Sequence, residues 1–599
     1  MEPGPALADE LLFPTAAHYQ PPKTTEEDTP WPLSPLNPAS RINSLDCDYS
    51  TPQWEIEGAE PDGRHYWVIP NFARGQPPRW IDVYYQPGDL EAPGLRLLKP
   101  TRRLLALPSN RRGQLDLGRH ILRALEYWSS RVNNFAQKYK RLPLGSQIAI
   151  NRITADVRFM DITLVPDYDL ERQWLSAEDL KQAWGFSEDF VLPTVINIDK
   201  LKYKRRLAGS ICLVEVSGQE QALGELIFKC QAMDVKAIYR ELRNLFWLPV
   251  HPNLPRRPLF LVSKKVRFGG KRGICGFVTE FFPTGTIDSA IRRHQREPGG
   301  LPLSLRLSWA KDLACALIAI RNSPLKCYTD LKLDNVVLSD DTLHAESNHA
   351  QAKLAPSRAV LIDFEQGTPW IHWAPPEIYW INYIERLASG TTVSPATRAR
   401  YASMLHPLLP GWMPEDRRAL YTTGDRSHCH AWSHLNEAEG ESAMVYMLGK
   451  ALWCLAENVF DVIEPATFSS FLAVPSVPIF PSFSQTPQNL RECIIGCTSG
   501  APEWDGRRQP FHVRDGRVHL RDNVGGCLSN GTHAADQVLA VSKEWWGKEI
   551  EDAERFVNLR VNGLGDESDR TFISFMHTRP TLEEVLKSIE AAIKEAGVR

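Results

Sequence analysis

The 599 residues carry 69 Lys and Arg against 72 Asp and Glu, a formal charge of -3, so no net basic field recruits nucleic acid or an acidic membrane. The apolar fraction of 43% and charged fraction of 24% are those of an ordinary soluble globular protein. Length alone sets a prior of about four domains, but the 45 prolines, which outnumber the 37 glycines, predict many chain breaks and so fewer domains.

Residues 1–55 read as a disordered, proline-rich arm, because they hold few aliphatic clusters with which to offset the entropy of ordering. The opening Met-Glu-Pro-Gly-Pro lacks a basic segment followed by an apolar run, so no signal peptide is expected. From 60 to 190 the pattern predicts an α+β module of unassigned function. Short apolar runs at Tyr66–Ile69 and Trp80–Tyr85 precede Ile121, Leu125, Trp128, Val132 and Phe135, whose spacing puts five large side chains on one helical face. Another strand region is expected at Ile148–Val165.

The stretch 200–290 reads as strands with one helix inserted, and 300–335 as a helix entering a polar loop, with Ala310, Leu313, Leu317 and Ile320 as its core-facing stripe. Insertions are expected near 340–357, 388–438 and 464–535, the last two as irregular chain rich in Pro, Gly, Ser and Arg. The apolar window Tyr446–Ile463 is interrupted by Lys450, Glu457 and Asp461, which argues against a membrane span. Eleven cysteines, an odd number without framework spacing, read as reduced thiols of a cytoplasmic or nuclear protein.

Chemistry concentrates in two segments. Tyr328-Thr329-Asp330-Leu331-Lys332-Leu333-Asp334-Asn335 puts an Asp and an Asn five residues apart in a loop, so that one can address an acceptor hydroxyl and the other a metal ion. Ala359-Val360-Leu361-Ile362-Asp363-Phe364 is an apolar strand ending in a carboxylate able to hold Mg²⁺ on nucleotide phosphates. In that order they resemble the catalytic loop and metal motif of the eukaryotic protein kinase superfamily.

Other segments extend the resemblance over about 200–592. Glu225-Leu226-Ile227-Phe228-Lys229 is similar to the strand that ends in the phosphate-anchoring lysine, and Glu241 to its partner on the following helix. Thr279, Glu280 and Phe282 match the gatekeeper and the hinge that binds adenine. Trp373-Ala374-Pro375-Pro376-Glu377 and Arg579-Pro580-Thr581 resemble segments joined by a buried ion pair, here Glu377 with Arg579. The details of Asp363–Gln366 and the cysteine-rich Arg491–Trp504 look similar to a divergent kinase-like group of filamentous fungi.

The resemblance implies a bilobal kinase-like fold, with a small β-rich and a large helical lobe, behind the separate N-terminal α+β module. It also implies ATP and Mg²⁺ as cofactors and a protein substrate phosphorylated on Ser or Thr. Lys229 and Glu241 would position ATP with Gly209 and the hinge, Asn335 and Asp363 would bind Mg²⁺, and Asp330 and Lys332 would be catalytic.

Several positions depart from the pattern. Gly209 is the one glycine where the phosphate lid usually has three, Tyr328 and Thr329 replace His and Arg, and Met444 replaces an aspartate that braces the catalytic loop. Glu365 stands in place of the metal-motif glycine, which disfavours the backbone flips that glycine permits. Thr368 is the one hydroxyl between Asp363 and Glu377, and no arginine precedes Asp330 to receive a phosphate, so activity is expected without activation-loop phosphorylation.

Two alternatives follow from these departures: a pseudokinase or scaffold with little turnover, and a small-molecule kinase of related fold. His428, Cys429, His430 and His434, and Cys493 with Cys497, have spacings open to zinc, but no Cys-x₂-Cys pair accompanies them and a polar loop with half-buried thiols is the plainer reading. The basic run Lys200, Lys202, Lys204, Arg205 and Arg206 reads as an exposed strand edge.

Overall fold

A computed structural model describes residues 53–59, 65–73, 79–83, 108–143, 146–154, 156–208, 211–230, 235–266, 270–294, 300–339, 357–367, 369, 372–390, 393–413, 430–462, 480–504, 510–514, 517–520, 535–563 and 565–598. Of the arm expected over 1–55, residues 1–52 lie outside them, as does nearly all of the 340–357 insertion, but its end is ordered: Trp54 and Glu55 open a strand, and the Trp54 ring is buried in a core. The architecture is mixed α+β.

Five strands, Trp54–Ala59, His65–Pro70, Arg79–Val83, Gln147–Arg152 and Asp161–Val165, form one sheet in chain order. Neighbours are antiparallel except the third and fourth, whose parallel pairing requires a long crossover, and the helix Pro108–Arg131 lies in it. Strand period two carries Tyr66 and Val68, and again Ile148 and Ile150, into a core completed by Ile121, Leu125, Phe135 and Tyr139. The expected five-residue helical stripe is broken: the helix ends at Arg131, Asn134 takes a left-handed φ of 56°, and Phe135 opens a second helix, Phe135–Lys140. Asn tolerates that conformation, so the chain turns there while both halves of the stripe still reach one core.

The second, larger core begins at Leu170, so the cores divide between Leu164 and Leu170, ahead of the expected start at 200. Its sheet runs Thr194–Asn197, Phe260–Lys265, Arg272–Glu280, Leu226–Cys230, Ile211–Val216 and Leu201–Ala208, antiparallel but for the first pair. The helix Val235–Trp247 is inserted between strands, as the pattern predicts. Gly276 allows the central strands to close: a Cβ there would lie 2.2 Å from the Lys229 carbonyl oxygen. From Lys202 onward the basic run falls on the edge strand Leu201–Ala208, where Lys202 pairs with Glu220 and Lys204 with Glu215 at 2.9 Å, while Lys200 ends the short helical turn before it.

The chain then becomes mainly helical. In the helix Leu303–Arg321 the stripe Ala310, Leu313, Leu317 and Ile320 is fully buried. The helix Glu437–Glu457, started by a reciprocal Asn436–Glu439 cap, is buried at every position from Met444 to Trp453, as suits a helix apolar all round. Among the described residues no helix is long and apolar enough to cross a membrane. The stretches 388–438 and 464–535, expected to be irregular, contain the helices Pro395–Leu405 and Gln488–Cys497. Proline misleads there because it opens helices as well as breaking them: Pro395 occupies the first turn behind the Ser394 cap, and Pro487 is itself an N-cap.

Candidate active site

Lys229 lies on the strand Leu226–Cys230 opposite Phe277, and Thr279 lies opposite Ile227, so Thr279 and Lys229 project from the same face. Glu280 ends the neighbouring strand and Phe282 follows it, both partly buried. Gly209 and Thr368 lie outside the described residues.

The Lys229 ammonium is held between two carboxylates, 2.6 Å from Glu241 Oε1 and 2.8 Å from Asp363 Oδ1. Burial alone would lower its pKa, but Asp363, Glu241 and Glu365 outweigh that and hold it above the ordinary lysine value. Burial pushes Glu241 upward against the pull of Lys229, whereas Asp363, although also buried, is drawn below the usual carboxylate range by the same lysine. Glu365 is pushed up to about 8, by burial first and the Asp363 charge second.

Asp330 and Asn335 meet in one loop. Asn335 Nδ2 donates to the Asp330 carbonyl at 2.9 Å and to its Oδ2 at 3.0 Å, and Lys332 Nζ lies 3.2 Å from the same Oδ2. Asp330 Oδ1 is buried without a hydrogen-bond partner. Burial raises the pKa of Asp330, only partly offset by Lys332. The antiparallel pair Val336–Ser339 and Arg358–Leu361 ties this loop to Asp363, and the Ile362 N–H donates to the Asn335 carbonyl at 2.9 Å. The structure thus brings Lys229, Glu241, Asp330, Lys332, Asn335 and Asp363 into one connected cluster.

The motifs did not reveal what braces it. Asp363 has φ 67° and Gln366 φ 60°, left-handed values that cost non-glycine residues about 1–3 kcal/mol and persist when surrounding contacts fix them. The turn they form brings the Gln366 side chain under the loop, where Oε1 accepts from Thr329 N–H at 2.8 Å and Nε2 donates to the Cys327 carbonyl at 2.7 Å. Met444 Sδ accepts from Tyr328 N–H at 3.3 Å, Tyr328 OH donates to the Ile362 carbonyl at 2.6 Å, and Asn244 Nδ2 donates to the Phe364 carbonyl at 2.7 Å. A sulfur, a tyrosine and a glutamine thus brace the loop that carries Asp330. Asn244 was findable, since it lies three residues after Glu241 on the same helical face.

Gln366→Ala removes two buried hydrogen bonds and leaves a backbone N–H and a carbonyl unpaired, at about 1–3 kcal/mol each. The expected result is a drop of about 2 kcal/mol or more in unfolding free energy by urea titration. A drop within 0.5 kcal/mol, roughly the scatter of surface substitutions, would remove Gln366 from this role.

Among the described residues no group of three or more His, Cys, Asp or Glu side chains is arranged to hold a metal ion. Cys493 and Cys497 sulfurs lie 3.9 Å apart on one helix, and His428 and Cys429 lie outside the described residues. His434 is buried beside the Phe556 ring; burial first and the Arg560 charge second lower its pKa to about 4, against weaker upward pulls from the Ala431 backbone and Glu439. In the unfolded chain it titrates near 6.5, so between these values the unfolded state binds a proton that the native state refuses. Its contribution is present above pH 6.5 and is lost as the pH falls towards 4. At pH 5 the loss is about 2 kcal/mol. His434→Phe should shrink by that amount the difference between urea unfolding at pH 7 and at pH 5. An unchanged difference would assign the acid sensitivity to other groups.

No protein-family model matches the chain and no curated protein matches it, so the reading of this cluster rests on its own geometry and on the ordered motifs that supply it.

Proposed function

We propose that the chain is an ATP- and Mg²⁺-dependent phosphotransferase of the protein kinase type, with a bilobal catalytic domain over about 200–592, acting on Ser or Thr hydroxyls of a protein substrate. One observation carries this reading. Asp330 has one carboxylate oxygen fixed by Lys332 and Asn335 and the other buried and unpartnered, in the same cluster that clamps Lys229 between Glu241 and Asp363.

That arrangement suits a carboxylate waiting for a hydroxyl proton. Lys229, held by Glu241, would bind the α- and β-phosphates, with Gly209, Thr279, Glu280 and Phe282 around the nucleotide. Asp363 and Asn335 supply hard oxygen donors, the set Mg²⁺ takes when it uses one or two carboxylates together with substrate phosphates, which is also why no three-residue metal cluster is required. When bound, the ion would offset charge on the phosphates. Lys332, whose pKa is held above the ordinary value by Asp330 despite burial, stays charged and would stabilise the transferring phosphoryl group. Asp330 Oδ1 would orient the acceptor hydroxyl and take its proton. A cytoplasmic or nuclear location and the absence of a nucleic-acid partner belong to the same proposal.

The test is purified full-length protein with Mg²⁺ and γ-labelled ATP, alone and with a generic protein substrate. Label in protein that disappears without Mg²⁺ is expected. A nucleotide-dependent thermal shift without transfer would favour a nucleotide-binding scaffold, transfer confined to small molecules would favour the small-molecule kinase, and neither shift nor transfer would end the enzyme reading.

A further inference from the structure

The segment Asp169–Leu192 lies outside the kinase resemblance yet belongs to the same core as the active-site cluster. We propose that it is a built-in positioning element that presses the helix Val235–Trp247 inward and so keeps Glu241 on Lys229. The inference rests on the phosphotransferase reading above.

The segment is fastened to the sheet. Glu171, whose side chain is fully buried, pairs with Lys264 at 2.9 Å, and the Leu175 carbonyl accepts from Ile274 N–H at 2.8 Å. Gly273 admits Trp174 so closely that a Cβ would lie 2.4 Å from the Trp174 Cβ. A reciprocal Ser176–Asp179 cap starts the short helix Ala177–Ala183, and Asp179 pairs with Lys271 at 3.1 Å.

From that anchorage it reaches the helix. Tyr239 OH accepts from Leu175 N–H at 2.8 Å and donates to the Ile274 carbonyl at 2.8 Å, so one hydroxyl ties helix, segment and strand together. Phe246 meets the rings of Trp184, Phe186 and Phe190, with centroids 6.0, 6.0 and 5.5 Å away, and Phe186 stacks on Phe190 at 4.2 Å. At about 100° per residue, Tyr239 and Phe246, seven apart, share a face, whereas Glu241 is about half a turn round from Tyr239. The segment therefore covers the side of the helix that faces away from Lys229. For the helix to swing out, an aromatic cluster must separate and two hydrogen bonds at Tyr239 must break. This supplies in the chain's own sequence a restraint that phosphorylation of a loop threonine would otherwise have to provide, in keeping with the missing arginine before Asp330.

Trp184, Phe186 and Phe190 are positioning residues, so their test must separate action through Glu241 from general loosening. In the full chain, Phe186→Ala with Phe190→Ala should raise amide hydrogen exchange across 235–247 and acylation of Lys229 by an amine-reactive probe, each about tenfold, and lower kcat about tenfold. Phe186→Leu with Phe190→Leu should restore most of all three. Adding Glu241→Gln to the alanine pair should lower kcat by less than about twofold further, because both changes break one interaction. Unchanged exchange and labelling, or effects on kcat that simply multiply, would overturn the proposal. If the wild-type chain transfers no phosphate, the phosphotransferase reading fails by itself, and exchange and Lys229 labelling still decide whether the segment holds the helix.

Discussion

Asp330→Asn should lower kcat by about 10²–10⁴-fold, the range of a lost general base, while leaving a nucleotide-dependent thermal shift in place. Asparagine keeps the shape of the side chain, and an amide oxygen can still accept from Lys332 and Asn335, so the loop should hold its path. What disappears is a proton acceptor with a buried, unpartnered oxygen. Because burial raises the Asp330 pKa, the acid limb of the rate profile should lie above the ordinary carboxylate range, with activity rising as Asp330 loses its proton. Lys229→Met should act differently, weakening the thermal shift itself, since Lys229 is the cation held between Glu241 and Asp363. Equal turnover in wild type and Asp330→Asn would end the assignment of the base.

The parts of this site legible in the sequence were those whose chemistry depends on residue type and short spacing. Asp330 with Asn335, an apolar strand ending in Asp363, and a Lys229 twelve residues before Glu241 need no knowledge of the chain path. Gln366 could not be read the same way, because its role follows from a left-handed turn that glutamine rarely adopts. Met444 looked like a simple loss because methionine sulfur is a weak acceptor seldom expected to brace a backbone N–H. The segment Asp169–Leu192 escaped notice for a different reason: its helices are short and its aromatic side chains find Phe246 more than fifty residues away. Such partners are fixed by packing, and local periodicity carries no trace of them. The helices Pro395–Leu405 and Gln488–Cys497 were hidden by the prolines that begin them.

The largest stability effect is expected at Glu377 and Arg579, both with fully buried side chains. Glu377 stands in the first turn of the helix Pro376–Ser389 and takes a bidentate grip from Arg579, Nη1 to Oε1 at 2.5 Å and Nη2 to Oε2 at 3.1 Å. Arg579 also donates from Nε to the Ser499 carbonyl at 3.1 Å and from Nη1 to the Ser442 carbonyl at 3.2 Å, and its guanidinium lies 4.8 Å from the Tyr446 ring centre. One side chain thus joins four stretches of chain that are distant in sequence. Desolvating both charges costs nearly as much as their attraction returns, so the pair adds little over a packed apolar pair, but breaking it strands a charge in the core. Glu377→Leu and Arg579→Leu should each destabilise the larger core by about 3–5 kcal/mol in urea unfolding, with little dependence on salt. The double variant should cost clearly less than the sum, because no lone charge remains. It should not recover fully, since the Ser442 and Ser499 carbonyls lose their donor. Single variants that cost under about 1 kcal/mol, the value of an exposed pair, would mean that water reaches Arg579 and that these four stretches are held by something else.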